Sequence, residues 1–96
     1  MTRSELLQNK RDDILRIAKK RGAEHVRIFG SVVRGDDSNR SDIDILVVML
    51  PGQSLLDLVG LDLDLKDLLG CEVDVVDEKA LSPYIRDQIL AEAVTL

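Results

Sequence analysis

Ninety-six residues suffice for one domain, which typically takes ~100–150, so a single unit over 1–96 is expected. Leu, Ile, Val and Phe account for 34 of the 96 residues, far above the roughly 20% below which chains stay disordered, so a small aliphatic core is available. The formal net charge of −5 hides an asymmetry: residues 1–41 hold 10 Lys and Arg against 6 Asp and Glu, whereas residues 42–96 hold 3 against 12.

The acidic second half rules out a broadly basic nucleic-acid-binding face there, because phosphate contacts need Lys and Arg. It leaves room for a carboxylate cluster that takes a divalent cation. Phe29 and Tyr84 are the only aromatic residues, which argues against single-strand binding by base stacking. No apolar run approaches the ~18 residues needed to span a bilayer, and Met1-Thr2-Arg3-Ser4-Glu5 has no signal-peptide core. One cysteine, Cys71, allows neither an internal disulfide nor a cysteine-rich zinc site, and this fits a cytoplasmic protein.

Thr2-x-x-Glu5 is a capping-box pattern, followed by Leu7, Ile14, Ile17 and Ala18 at helical spacings. Lys19, Lys20 and Arg21 suit the negative end of a helix, and Gly22 is a natural stop. One helix is therefore predicted from Arg3 to Arg21. Glu24 to Phe29 reads as a short strand with Val26 and Ile28 on one face. Gly30 to Ser41 breaks the pattern: Ser31-Val32-Val33-Arg34 could form one helical turn capped by Ser31, and Gly35 to Ser41 is loop chemistry throughout. Asp42 to Leu50 is the strongest strand, closed by Pro51-Gly52.

Gln53 to Gly70 carries two signals. Leu61-Asp62-Leu63-Asp64-Leu65 alternates like a strand, but Ser54-x-x-Asp57 is a capping box and Gly70 a stop. Fifteen helical residues rise ~22 Å, close to the ~23 Å of a seven-residue strand, as a crossover requires. A helix is the reading adopted. Cys71 to Asp77 follows as a strand, and Ser82-Pro83 opens a last helix with Ile85, Ile89, Leu90 and Ala93 as its apolar face. The order αβ(α)βαβα predicts an α/β domain with a small, mixed, three-stranded sheet.

Asp42 and Asp44 lie two apart on the best strand, so both project from one face. Their Cβ atoms would sit roughly 6–7 Å apart, which lets both carboxylates converge on one hard cation or on a close pair. Asp74 holds a similar place in the next strand. If the helical crossover makes that strand a parallel neighbour, all three share a site. Carboxylates with no histidine or thiolate nearby imply oxygen coordination, hence Mg²⁺ or Mn²⁺.

Upstream, Gly30-Ser31 stands where the first strand ends. Glycine permits close backbone approach, and free N–H groups with a serine hydroxyl can bind phosphate oxygens. Arg34 adds a cation and Gly35 a turn. The Gly30-x-x-x-x-Gly35 spacing matches a P-loop, but Asp36-Asp37 stands where Lys-[Ser/Thr] is required. An EF-hand fails too, since aligning Asp37, Asn39 and Ser41 puts Asp42 at its glycine and Val48 at its glutamate.

Gly30-Ser31, ten residues, then Asp42-Ile43-Asp44 resembles the signature of the nucleotidyltransferase superfamily that includes DNA polymerase β. The fuller string Phe29-Gly30-Ser31-Val32-Val33-Arg34-Gly35 and Ser41-Asp42-Ile43-Asp44-Ile45-Leu46-Val47 is similar to the minimal nucleotidyltransferase (MNT) antitoxins, small domains paired with HEPN-domain toxins. The resemblance covers nearly the whole chain. It implies a mixed sheet on which Asp42 and Asp44 bind two Mg²⁺ ions and Asp74 completes the site on the ion that activates the acceptor hydroxyl. Gly30 and Ser31 would hold the phosphates of ATP, with Arg34 beside them. The implied reaction is AMP transfer from ATP to a hydroxyl, tyrosine favoured, of a cognate HEPN toxin.

Two other readings remain at this stage. One is an antitoxin that neutralises by binding alone. The other is a polymerase-type or antibiotic-modifying transferase, which suffers because the nucleotide-binding fold uses all 96 residues. His25, Cys71 and Tyr84 are read as structural, Tyr84 through core or interface packing. Lys19-Lys20-Arg21 is read as a solvated helix end, and Arg40 as a residue that could touch a phosphate.

Overall fold

The computed structural model describes residues 1–36 and 41–96, and Arg40 lies outside them. Thr2 closes its capping box: its hydroxyl accepts from the Glu5 N–H at 3.1 Å, and its own N–H donates to Glu5 Oε1 at 2.9 Å. The helix that follows does not run unbroken to Arg21. It is divided into α1 (Arg3–Asn9) and α2 (Arg11–Lys20), with Lys10 between them at φ −104°, ψ 8°. Leu7 and Ile14 are both buried, and seven residues bring a straight helix almost back to the same face, so their spacing is compatible with one helix or two. No Gly or Pro marks the break. Tertiary contacts hold the first segment, for Arg3 Nε donates to the Ser41 carbonyl at 2.8 Å.

Strand β1 (Ala23–Phe29) is paired antiparallel with β2 (Ile43–Met49). Glu24 lies opposite Val48 and Arg27 opposite Leu46, so two residues of β1 oppose one of β2. His25 sits in this bulge at φ 51°, an uncommon conformation for a non-glycine residue. The bulge shifts the alternation by one residue. Ala23, Val26 and Ile28 thereby all enter the core, and His25 is exposed.

Strand β2 is central and pairs in parallel with β3 (Val73–Asp77). Its Ile43, Ile45, Val47 and Met49 point into the core formed with Ile14 and Ala18 of α2 and with Leu61, Leu65 and Leu69 of α3 (Leu55–Leu69). Burial settles the ambiguity of the Leu-Asp repeat. A strand would place Leu61, Leu63 and Leu65 on one face, but Leu61 and Leu65 are buried and Leu63 is 59% exposed. The helix splits them. Gly70 ends it at φ +66°, as read from the sequence.

The three-stranded sheet gains a fourth strand. Helix α4 (Pro83–Glu92) starts at Ser82, whose Oγ accepts from the Tyr84 N–H. It stops at Glu92, and β4 (Val94–Thr95) adds to the free edge of β1. Val94 pairs with Ile28 and Thr95 with Arg27, in the order β3-β2-β1-β4. An unpaired β1 edge would leave backbone donors and acceptors without partners, which outweighs continuing the helix through Ala93. Cys71 packs half-buried against the core. Tyr84 is 97% exposed, so the core-packing expectation for it does not hold.

Gly60 lies mid-helix for a packing reason. A Cβ there would stand 2.6 Å from Arg21 Nη1, and Arg21 Nε donates to Asp64 Oδ2 at 2.8 Å. Replacing a mid-helix glycine by alanine usually gains about 1 kcal/mol. In this protein Gly60→Ala is expected to be nearly neutral, because the guanidinium must leave its carboxylate. The full gain should return in an Arg21→Ala background, which urea denaturation of the four proteins in the cycle would measure.

Candidate active site

Residues of α1, α2 and α3 form the core on one face of the sheet. On the other, Phe29 of β1 lies opposite Asp44 of β2, and Asp44 lies beside Asp74 of β3 in the parallel register. The crossover through α3 makes β3 a parallel neighbour of β2 and so brings the two aspartates together. Asp42 stands one residue before β2 and is exposed, as is Asp74, whereas Asp44 is half-buried. No side chain of the three makes a hydrogen bond or ion pair with another described residue.

Charge is accordingly uncompensated at this point. Burial pushes the Asp44 carboxyl above its ordinary pKa, the neighbouring Asp74 and Asp42 push it further, and Arg34 only partly opposes them. A half-buried carboxylate among like charges costs stability unless a cation joins it. The donors are oxygen only, which suits Mg²⁺ or Mn²⁺ and not zinc. No three metal-ligating side chains among the described residues are already gathered at ligand separation. Asp42 and Asp74 are exposed with no partner holding them elsewhere, so the residue set fits a divalent cation.

Gly30 follows directly after Phe29 and opens a 3-10 turn, Gly30–Val32. Ser31 is thus inside the turn and not its cap; Phe29 holds the capping position without a side-chain bond. Gly30 has φ +80°, and a Cβ on it would stand 2.1 Å from Asp44 Oδ2. No other residue type fits both the backbone and the aspartate. The Gly30 carbonyl accepts from the Val33 and Arg34 N–H groups, each at 3.1 Å. The Ser31 hydroxyl and N–H have no hydrogen-bond partner among the described residues, so they remain available to an anion.

Arg34 is just beyond the turn, its side chain 54% exposed. Its Nη1 donates to Glu92 Oε1 at 2.8 Å, and the Gly30 N–H donates to Glu92 Oε2 at 2.9 Å. Glu92 was not among the residues singled out from the sequence. As one charged residue near a helix end it carries no signature; only the pairing of β4 with β1 brings it to Gly30 and Arg34.

A glycine-serine turn set against paired strand carboxylates, on a mixed sheet of this order, defines a nucleotidyltransferase. A solved structure provisionally described as a minimal nucleotidyltransferase matches with a TM-score of 0.86 at 44% identity, covering 96% of this chain and 94% of that one. The chain belongs to the polymerase beta nucleotidyltransferase family, whose model matches residues 12–96. A relative from Methanocaldococcus jannaschii with a provisional protein-adenylyltransferase name is 47% identical over 81 residues, 84% of this chain and 87% of the relative. The protein adenylyltransferase MntA of Thermococcus cleftensis is 40% identical over 73 residues, 76% and 74% of the two chains. At 21% identity, a chain of the Shewanella oneidensis complex of tri-AMPylated HEPN toxin with MNT antitoxin shares the fold, with a TM-score of 0.70 over 92% of this chain and 69% of that one.

Proposed function

We propose that residues 1–96 act as a single adenylyltransferase unit that moves AMP from ATP to a hydroxyl, tyrosine favoured, of a cognate HEPN-type toxin, and so serve as its antitoxin. The observation that carries this reading is Asp44: half-buried, flanked by Asp74 and Asp42, and directly against the Gly30 turn. Asp42, Asp44 and Asp74 would hold two Mg²⁺ ions, which would supply positive charge for the entering and leaving oxygens of nucleotidyl transfer. Ser31 offers its hydroxyl and N–H to the nucleotide phosphates. Gly30 lets backbone and Asp44 approach each other, and Arg34 places positive charge at the rim.

The acceptor is argued from exposure. The carboxylates stand on an open face, with Asp42 and Asp74 exposed, so a docked macromolecule can bring its hydroxyl to them. Residues 42–96 carry a net charge of −9, which repels a nucleic acid and favours a protein. The names of the relatives support the same chemistry.

Incubation of the protein with ATP, Mg²⁺ and a cognate HEPN-type toxin should add one or more AMP units to the toxin, read by intact mass spectrometry. Asp42→Ala should abolish the addition without preventing complex formation. Full neutralisation by wild type and by Asp42→Ala alike, with no change in mass, would replace transfer by neutralisation through binding alone.

A further inference from the structure

We infer that Glu92 is a positioning residue for the nucleotide corner, holding the Gly30-Ser31 turn through the Gly30 amide and Arg34; the inference rests on the nucleotide reading above. Glu92 is the last residue of α4, and its side chain is only 19% exposed. Its two carboxylate oxygens are divided between the Gly30 N–H at 2.9 Å and Arg34 Nη1 at 2.8 Å. These partners lie 62 and 58 residues away in sequence, so the contact joins the far end of the fold to the turn. Charge-assisted bonds of this kind are about twice as strong as neutral ones. Arg34 first, and then the Gly30 N–H, hold the Glu92 carboxyl below its usual pKa, and it stays ionised near neutral pH.

Gly30 is therefore enclosed between two carboxylates with different tasks. Asp44 comes from β2 and occupies the space a Cβ would need. Glu92 comes from the β4 side, two residues before Val94 pairs with Ile28. With its N–H given to Glu92 and its carbonyl to Val33 and Arg34, Gly30 has both flanking peptide groups fixed. The next free groups in the chain are the Ser31 N–H and hydroxyl. Glu92 thereby assigns the phosphate contact to Ser31 and reserves Gly30 for close packing. Arg34 neutralises Glu92, which would otherwise repel the incoming phosphates.

Calorimetric titration with ATP and Mg²⁺ tests this, together with the amide NMR signals of Gly30 and Ser31. In wild type, nucleotide should shift the Ser31 amide strongly and leave the Gly30 amide bonded to Glu92. Glu92→Ala should raise the dissociation constant roughly 10-fold, equivalent to about 1.4 kcal/mol. Glu92→Gln, which keeps an acceptor for the Gly30 N–H but has no charge for Arg34, should recover part of that loss. Binding by Glu92→Ala equal to wild type overturns the inference. Tighter binding also overturns it, because Glu92 would then be a competitor for phosphate donors. Equal losses in Glu92→Ala and Glu92→Gln that merely follow the fall in melting temperature overturn it as well. A wild-type protein that binds no nucleotide overturns the nucleotide reading itself, and this inference with it.

Discussion

Asp44→Asn is expected to abolish nucleotidyl transfer and, in metal-free buffer, to raise the melting temperature. The loss of activity should be at least about 1,000-fold, the kinetic equivalent of about 4 kcal/mol of transition-state charge stabilisation. The gain in stability follows from the raised pKa of Asp44. A carboxyl whose folded pKa lies above its unfolded value contributes stability that is fully present below the unfolded pKa and lost as pH rises through the folded one. The advantage of Asp44→Asn should therefore be largest near neutral pH and shrink on acidification. Divalent metal should reverse the order. Mn²⁺ at a hundred times its dissociation constant would stabilise wild type by about 2.7 kcal/mol, and the variant by much less. Thermal melts of both proteins across pH, with and without Mn²⁺, measure the stability gain, its pH trend and its reversal by metal, and AMP-transfer rates measure the loss of activity. A wild-type melting temperature indifferent to millimolar Mn²⁺, with or without ATP, would dismiss the metal site.

Gly30→Ala should damage activity far more than stability. The left-handed backbone at φ +80° costs a non-glycine residue about 1–2 kcal/mol. The clash is with the end of the Asp44 side chain, 2.1 Å from the added Cβ, and that side chain can rotate away. The protein should fold with a modest loss while the carboxylate is displaced from its place. A displacement of about 1 Å can lower catalysis roughly 100-fold. Gly35→Ala is the control, since Gly35 has φ +83° but nothing among the described residues within 4 Å of a Cβ. It carries the backbone strain alone. Parallel measurements of urea stability and transfer rate decide the matter: equal losses in the two variants would make Gly30 a turn residue and nothing more.

The residues most legible in the sequence were those whose signal is local. The capping boxes at Thr2 and Ser54, the Ser82 cap before Pro83 and the glycine stop at Gly70 each satisfy backbone groups within a few residues. The split of the first helix at Lys10 and the strand at Val94 had no such marker. His25 is instructive, because its left-handed bulge changes which side chains of β1 reach the core, and no glycine stands there to announce it.

The candidate site divides along the same line. Asp44 lies on β2 and Asp42 one residue before it, and the two-residue spacing ahead of a β-branched run is what reads in the sequence as a shared face. The aliphatic core, the crossover helix and the Gly-Ser corner are likewise written in residue type and spacing. That Asp74 lies beside Asp44 depends on β2 and β3 pairing in parallel in this register, which the length of α3 permits but only the sheet fixes. That Gly30 must lack a side chain because of Asp44, and that Arg34 is held by Glu92, depends on strands and a helix far apart in the chain meeting at one corner. Backbone geometry acts over a few residues and is readable there. Steric exclusion and ion pairing act through space, and they become definite only when burial of the aliphatic faces has brought these elements together.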